Sequence, residues 1–121
     1  MKLNRITLSE SSTRKLQTFK ARTGLTPNIA CRLALGLSLS QKKRPSLELH
    51  IDETGQTINR YTLLGEHELI LLSLFKQWCH EHDISESEYE SYFIAHINQG
   101  VEMLINRVKG LQDFTNLLPA R

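Results

Sequence analysis

The first 44 residues contain almost no acid. Glu10 stands there against ten cations: Lys2, Arg5, Arg14, Lys15, Lys20, Arg22, Arg32, Lys42, Lys43 and Arg44. Residues 45–121 invert the balance with five cations and twelve acids, so the net charge of +2 hides a basic front and an acidic back. Such a split points to a polyanion partner for the front, unless the two parts neutralise each other in the fold. Cysteine is scarce as well. Cys31 and Cys79 are the only two, and each sits in an apolar helical pattern that suits a buried free thiol in a reducing cytoplasm. No uninterrupted apolar run exceeds four residues, as at Leu69–Leu72, whereas a membrane span needs about 20. Met1–Leu8 is too short and too polar for the apolar core of a signal peptide.

The signatures of catalysis are missing too. There is no CxxC, no phosphate-binding glycine loop and no GxSxG. His67-Glu68 begins an HExxH pattern, but Leu71 stands where the second His is needed. Cys79, His80 and His82 lie within four residues. Zinc would need two further ligands, and His50, His67 and His96 are distant singles. Carboxylates for two-metal nuclease chemistry would come from Asp52, Glu53, Glu66 or Glu68, whose spacing marks them as ordinary surface charge. The expectation is a chain with no catalytic residue, no metal ligand and no cofactor.

What is present reads as one mainly α domain over residues 1–121: a compact bundle of four to six helices, a short N-terminal extended segment and a small β-hairpin. Asn4–Leu8 alternates and suits a strand or arm. Ser9 or Ser11 caps a first helix to about Thr23, with Ser12, Leu16, Phe19 and Thr23 as its inner stripe. Arg14 projects opposite, and Lys15 and Arg22 share a flank. Gly24 stops the helix, Thr26 caps the next, and Pro27 takes its first turn. From Ile29 to Leu39 this second helix is apolar nearly all round, with only Arg32 charged. It requires burial on all sides, in a core or between subunits. A short strand followed by two helices is similar to the ribbon-helix-helix DNA binders, in which the strand enters the major groove.

Ser40–Ser46 is a basic loop, and Leu47–Ile51 alternates as a strand that Thr57–Thr62 pairs with across the turn at Asp52–Gly55. Gly65 opens the next helix, which is apolar from Leu69 to Trp78. A capping box at Ser85–Glu88 starts the last long helix. Gly100 either ends that helix or marks a close packing point, with the spacing continuing to about Lys109 before Gly110. Leu111–Leu118 forms a last short turn.

Three spaced motifs carry a resemblance: RTGLTPNIACRLALGLSL at Arg22–Leu39, RYTLLGE at Arg60–Glu66 and HINQGVEML at His96–Leu104. Together they resemble the DndE family, the small subunit of the bacterial DNA phosphorothioation (DNA sulfur modification) system. The resemblance covers essentially the whole chain. It implies a helical homotetramer that binds double-stranded DNA, preferably nicked. It also implies work beside a cysteine desulfurase, a sulfur-transferring ATP-pyrophosphatase-like protein and an ATPase that together put sulfur in place of a phosphate oxygen. Surface lysines are implicated in DNA binding in that family. Joined with the charge pattern, this nominates Lys2, Arg5, Arg14, Lys15, Lys20, Arg22, Lys42, Lys43 and Arg44 as contacts to the phosphate backbone of duplex DNA. The functional expectation is a non-catalytic DNA-binding component, cytoplasmic and without a membrane partner. The alternative is a nicking endonuclease that opens the backbone for modification.

Overall fold

The structure is a computed structural model that describes residues 3–41 and 43–108. Lys2, Lys42, Lys109, Gly110 and the expected turn at Leu111–Leu118 lie outside them. Helix dominates. Strand β1 (Arg5–Thr7) leads into α1 (Glu10–Thr23) and α2 (Pro27–Leu39), followed by β2 (Thr57–Asn59), α3 (Arg60–Leu64), α4 (Glu68–Glu81) and α5 (Tyr89–Arg107). Short 3-10 turns stand at Leu47–His50, Gly65–His67 and Glu86–Glu88. No helix among the described residues is long and apolar enough to cross a membrane.

Helix α1 follows its local sequence. Ser9 is its N-cap and accepts from Ser12 N–H at 3.0 Å. Ser12, Leu16, Phe19 and Thr23 are its buried residues, the stripe expected from their spacing. Gly24 ends the helix at φ +79, and its N–H donates to Lys20 O. Only glycine takes that left-handed position cheaply. Pro27 does begin α2, but Thr26 is extended without a side-chain cap bond, so proline's fixed φ and missing donor define that start.

Helices α2 and α5 share the largest helix–helix contact in the fold. Gly100 makes it possible. A Cβ there would lie 2.9 Å from Ala34 Cα and closer still to the Ala34 carbonyl. Gly100 is therefore a packing point inside a continuous α5 rather than its end. One turn away on both helices, Ser38 Oγ meets His96 Nδ1 at 2.7 Å. The two helices thus run antiparallel, and Ala30, Cys31, Ala34, Leu35 and Ser38 of α2 are buried.

The expectation that α2 is covered on every side fails within one chain. Ile29 and Leu33 are 41% and 40% exposed, because α5 covers only one face. Leu69, Ile70 and Leu74 of α4 are also exposed. Arg32, the lone charge in α2, turns back on α3: its Nε donates to Leu63 O at 2.7 Å and its Nη2 to Thr62 O at 3.2 Å. These are carbonyls that a helix C-terminus leaves unpaired. Gly65 lies directly beneath that guanidinium, with φ +56 and 2.5 Å from a notional Cβ to Nη2.

In place of the expected hairpin stands a two-stranded sheet between distant segments. Leu47–His50 is a 3-10 turn capped by Ser46, not a strand. Strand β2 pairs instead with β1, antiparallel, with Ile6 opposite Ile58. Alternation over five residues fits both shapes; here the Ser46 oxygen accepts from Glu48 N–H and tips the choice. Because β1 is paired within its own chain, it is not a free ribbon of the ribbon-helix-helix kind. The capping box is also altered. Ser85 Oγ bonds the Glu88 carboxylate at 3.3 Å and caps no backbone N–H, and α5 starts only after a 3-10 turn.

Candidate nucleic-acid interface

Three of the nominated cations meet on the outer flank of α1. Arg14, Lys15 and Arg22 line a shallow groove of about 360 Å³ with Ser11, Thr18 and Ile105. Ser11, Lys15, Thr18 and Arg22 recur at spacings of four, three and four, which is one helical stripe. Arg14, expected opposite the inner stripe, is exposed there and lines the same groove. The hydroxyls of Ser11 and Thr18 were not anticipated as members. Their spacing with Lys15 and Arg22 was the available signal. Hydroxyls and cations are the side-chain types that donate to phosphate oxygens.

The other candidates scatter. Arg5 is exposed on β1 and Lys20 is exposed in the last turn of α1; neither lines the groove. Lys43 is exposed and lines a second depression of about 490 Å³ with Gln41, Ser46, Gln99, Met103 and Asn106, among others. Arg44 is committed. Its Nε and Nη2 donate to Tyr92 Oη at 3.0 and 2.7 Å, and its guanidinium lies 5.0 Å from that ring's centroid. It ties the basic loop to α5. Ile105 borders the α1 groove and Met103 and Asn106 border the second depression, so the last two turns of α5 link the two.

Among the described residues no acid lies in salt-bridge contact with these cations. Among the described residues the only salt bridge is Arg60–Glu68, at 2.7 Å, on the other half of the chain. Asp52 approaches α1 but serves as a cap. Its Oδ2 accepts from Glu10 N–H at 3.2 Å. The bonds from the Thr54 hydroxyl and N–H, then that from Glu10, hold its carboxyl below the usual aspartate range. Glu102 is the acid beside Lys43 in the second depression.

The HINQG segment of α5 is mostly internal carpentry. Asn98 Oδ1 accepts from Ser9 N–H and Oγ–H at 3.3 Å each, and its Nδ2 donates to Leu49 O. His96 is fully buried beside Ser38, with Trp78 perpendicular at 4.2 Å. Cys31 and Cys79 are buried, and desolvation pushes their thiols up to about 12 and about 11. Thiols so placed are poor nucleophiles at neutral pH. Cys79 points into the core while His80 is exposed and His82 stacks on Trp78, which separates that trio. Among the described residues no three His, Cys, Asp or Glu side chains converge to hold a metal ion.

The family model for the DNA sulphur modification protein DndE matches residues 5–111. The chain belongs to the DndE family. The crystal structure of DndE from Escherichia coli B7A, involved in DNA phosphorothioation modification, superposes with a TM-score of 0.72 at 29% identity. That match covers 86% of this chain and 98% of that one. A mutant DndE involved in DNA phosphorothioation gives 0.66 at 27% identity, covering 85% and 97%. No curated protein matches the chain. DndE is a component of the DNA phosphorothioation system, and the three motifs that carried the resemblance now have positions. Arg22–Leu39 forms the α1–α2 corner and α2, Arg60–Glu66 the α3 turn under Arg32, and His96–Leu104 the antiparallel seam.

The seam makes a pH prediction. Burial, and secondarily the nearby His82, push His96 down from 6.5 to about 4. Folded His96 stays neutral over a range where the unfolded chain takes up a proton, so stability rises with pH there. The contribution is complete above about pH 6.5 and is lost as pH falls toward 4. Between pH 7 and 4.5 the loss should be roughly 2 kcal/mol. Urea unfolding at both pH values should show that loss in the wild type and a smaller one in His96→Gln. Equal losses would contradict it.

Proposed function

We propose that this chain is a non-catalytic DNA-binding component of the phosphorothioation machinery. It holds double-stranded DNA, preferably nicked, by the phosphate backbone, while the desulfurase, sulfur-transfer protein and ATPase of the system act on it. The observation that carries this reading is the α1 stripe of Lys15, Arg22 and their hydroxyl neighbours, joined by Arg14 and, among the described residues, in no salt bridge with a carboxylate. A stripe of cations on one face is the electrostatic footprint of nucleic-acid binding. Beyond that stripe, exposed Arg5, Lys20 and Lys43 are further candidate phosphate contacts, as are Lys2 and Lys42, which lie outside the described residues, whereas Arg44 is already engaged by Tyr92.

Phosphate contacts release counterions, so each one lost should flatten the salt dependence of log K by about 0.9. Lys15→Gln/Arg22→Gln should weaken duplex binding alike for unrelated sequences and reduce the salt slope by about 2 per protomer. Lys76→Gln, on exposed α4, should change neither. Unchanged slope and affinity in the α1 variant would place DNA elsewhere. Supercoiled plasmid incubated with Mg²⁺ or Mn²⁺ separates the nuclease alternative: nicking that an Asp/Glu→Ala panel traces to this chain would replace the non-catalytic reading.

The homotetramer belongs to the same proposal. What supports it is the groove between α2 and α4, about 480 Å³, walled by Ile29, Leu33, Ile70 and Leu74 with Arg32 and His67 at hand. An exposed apolar patch of this kind is characteristic of an association surface. Leu35 is fully buried inside the chain, so a charge there tests folding and not assembly. Leu33→Asp/Leu74→Asp changes exposed positions, and should yield a folded, smaller species by light scattering and circular dichroism. A wild type that is monomeric at micromolar concentration would sink this part.

A further inference from the structure

The second depression has features that backbone binding does not require. At about 490 Å³ it falls in the size range of small-molecule sites. Gln41, Gln99 and Asn106 bring three amides to it, Lys43 brings a cation, and Leu49 and Met103 supply apolar walls.

Gln99 is held from behind. Its Nε2 donates to Ser38 Oγ at 3.0 Å, and that oxygen lies 2.7 Å from His96 Nδ1. Ser38 and His96 are completely buried. With Gln99 donating to it, the Ser38 hydroxyl can give its own proton to Nδ1 of the neutral ring. One of the two amide N–H groups is used inward, which holds the side chain at the rim of the cleft and leaves Oε1 without a hydrogen bond among the described residues. Gln41 is arranged alike, its Nε2 donating to Leu37 O at 3.4 Å and Ser40 Oγ at 3.3 Å. Asn106 has no side-chain hydrogen bond among the described residues. A buried chain that orients one surface amide is the support a recognition site needs.

Two carbonyl acceptors, an open amide, a cation and aliphatic walls fit a nucleobase that carries an exocyclic amino group, with its phosphate attached. We propose that this cleft receives one unstacked nucleotide of the DNA held on α1. The base lies between Leu49 and Met103, its amino edge meets Gln99 and Gln41, and its phosphate meets Lys43, away from Glu102. The inference rests on the DNA-binding reading and adds a base site to it. The α5 end that borders both depressions is where a strand leaving the α1 groove enters the cleft. Unstacking costs least at a base that has already lost a neighbour, so the site also supplies a reason to prefer a nick.

The test uses full-length protein and a duplex with 2-aminopurine at a nick, beside the same duplex sealed. This base carries an amino group, is dim when stacked and brightens when it leaves the stack. Wild-type protein should brighten the nicked probe and not the sealed one. Gln41→Ala/Asn106→Ala, and separately Gln99→Ala, should abolish the brightening and reduce the preference for nicked duplex by about tenfold. If Gln99→Ala does not fold, the first variant decides, since it changes only solvent-reached side chains. Lys15→Gln/Arg22→Gln should weaken both duplexes equally and still brighten the nicked probe at saturation. Tight binding without brightening, or cleft variants as bright and as selective as wild type, would overturn the base site alone. No binding of either duplex by wild type would overturn the DNA-binding reading beneath it.

Discussion

The close approach of α2 and α5 at Ala34 and Gly100 is the constraint on which the rest depends. Two helices packed by ordinary side chains stand about 8–10 Å apart. Here a missing Cβ lets the Ala34 backbone sit directly on α5. At that separation Ser38, one turn along, reaches the buried His96 ring, and Gln99 reaches Ser38 from the other side. Asn98 uses the adjacent face of α5 to hold Ser9, the cap of α1, and the carbonyl of Leu49. The seam therefore sets where α1 and the 3-10 turn sit.

Two surfaces of opposite character follow. Helix α5 takes one face of α2, so Ile29 and Leu33 are left to form an apolar groove with Ile70 and Leu74. Helix α1 is pinned by its inner stripe and its cap, so Lys15 and Arg22 face outward with Ser11 and Thr18. Among the described residues no acid of the second half forms a salt bridge with Lys15 or Arg22; Asp52 caps α1 and Glu68 pairs with Arg60. The charge asymmetry of the sequence thus survives as a surface property. The apolar groove and the basic stripe share no lining residue.

Local chemistry was legible and long-range pairing was not. The buried stripe of α1, the left-handed Gly24 and the start at Pro27 follow from neighbours within a turn, and all were readable from residue spacing. The partner of β2 is fifty residues away at β1, and no local pattern announces it. Leu47–Ile51 alternates over too few residues to separate a strand from a 3-10 turn. Gly100 carried two meanings until the backbone it touches was known. Of the candidate site, charge composition marked the cations, but not that Arg44 is spent on Tyr92. The amides of Gln41, Gln99 and Asn106 come from three places in the chain and form a group only in the fold.

The central claim is that DNA lies along the outer flank of α1 and the adjoining end of α5. Backbone amide chemical shifts during titration with a short nicked duplex test it most directly. The account predicts the largest changes at residues 11–22, 41–46 and 102–106, with Ile29, Leu33, Ile70 and Leu74 unmoved. Changes concentrated on the α2–α4 groove, with α1 silent, would contradict it.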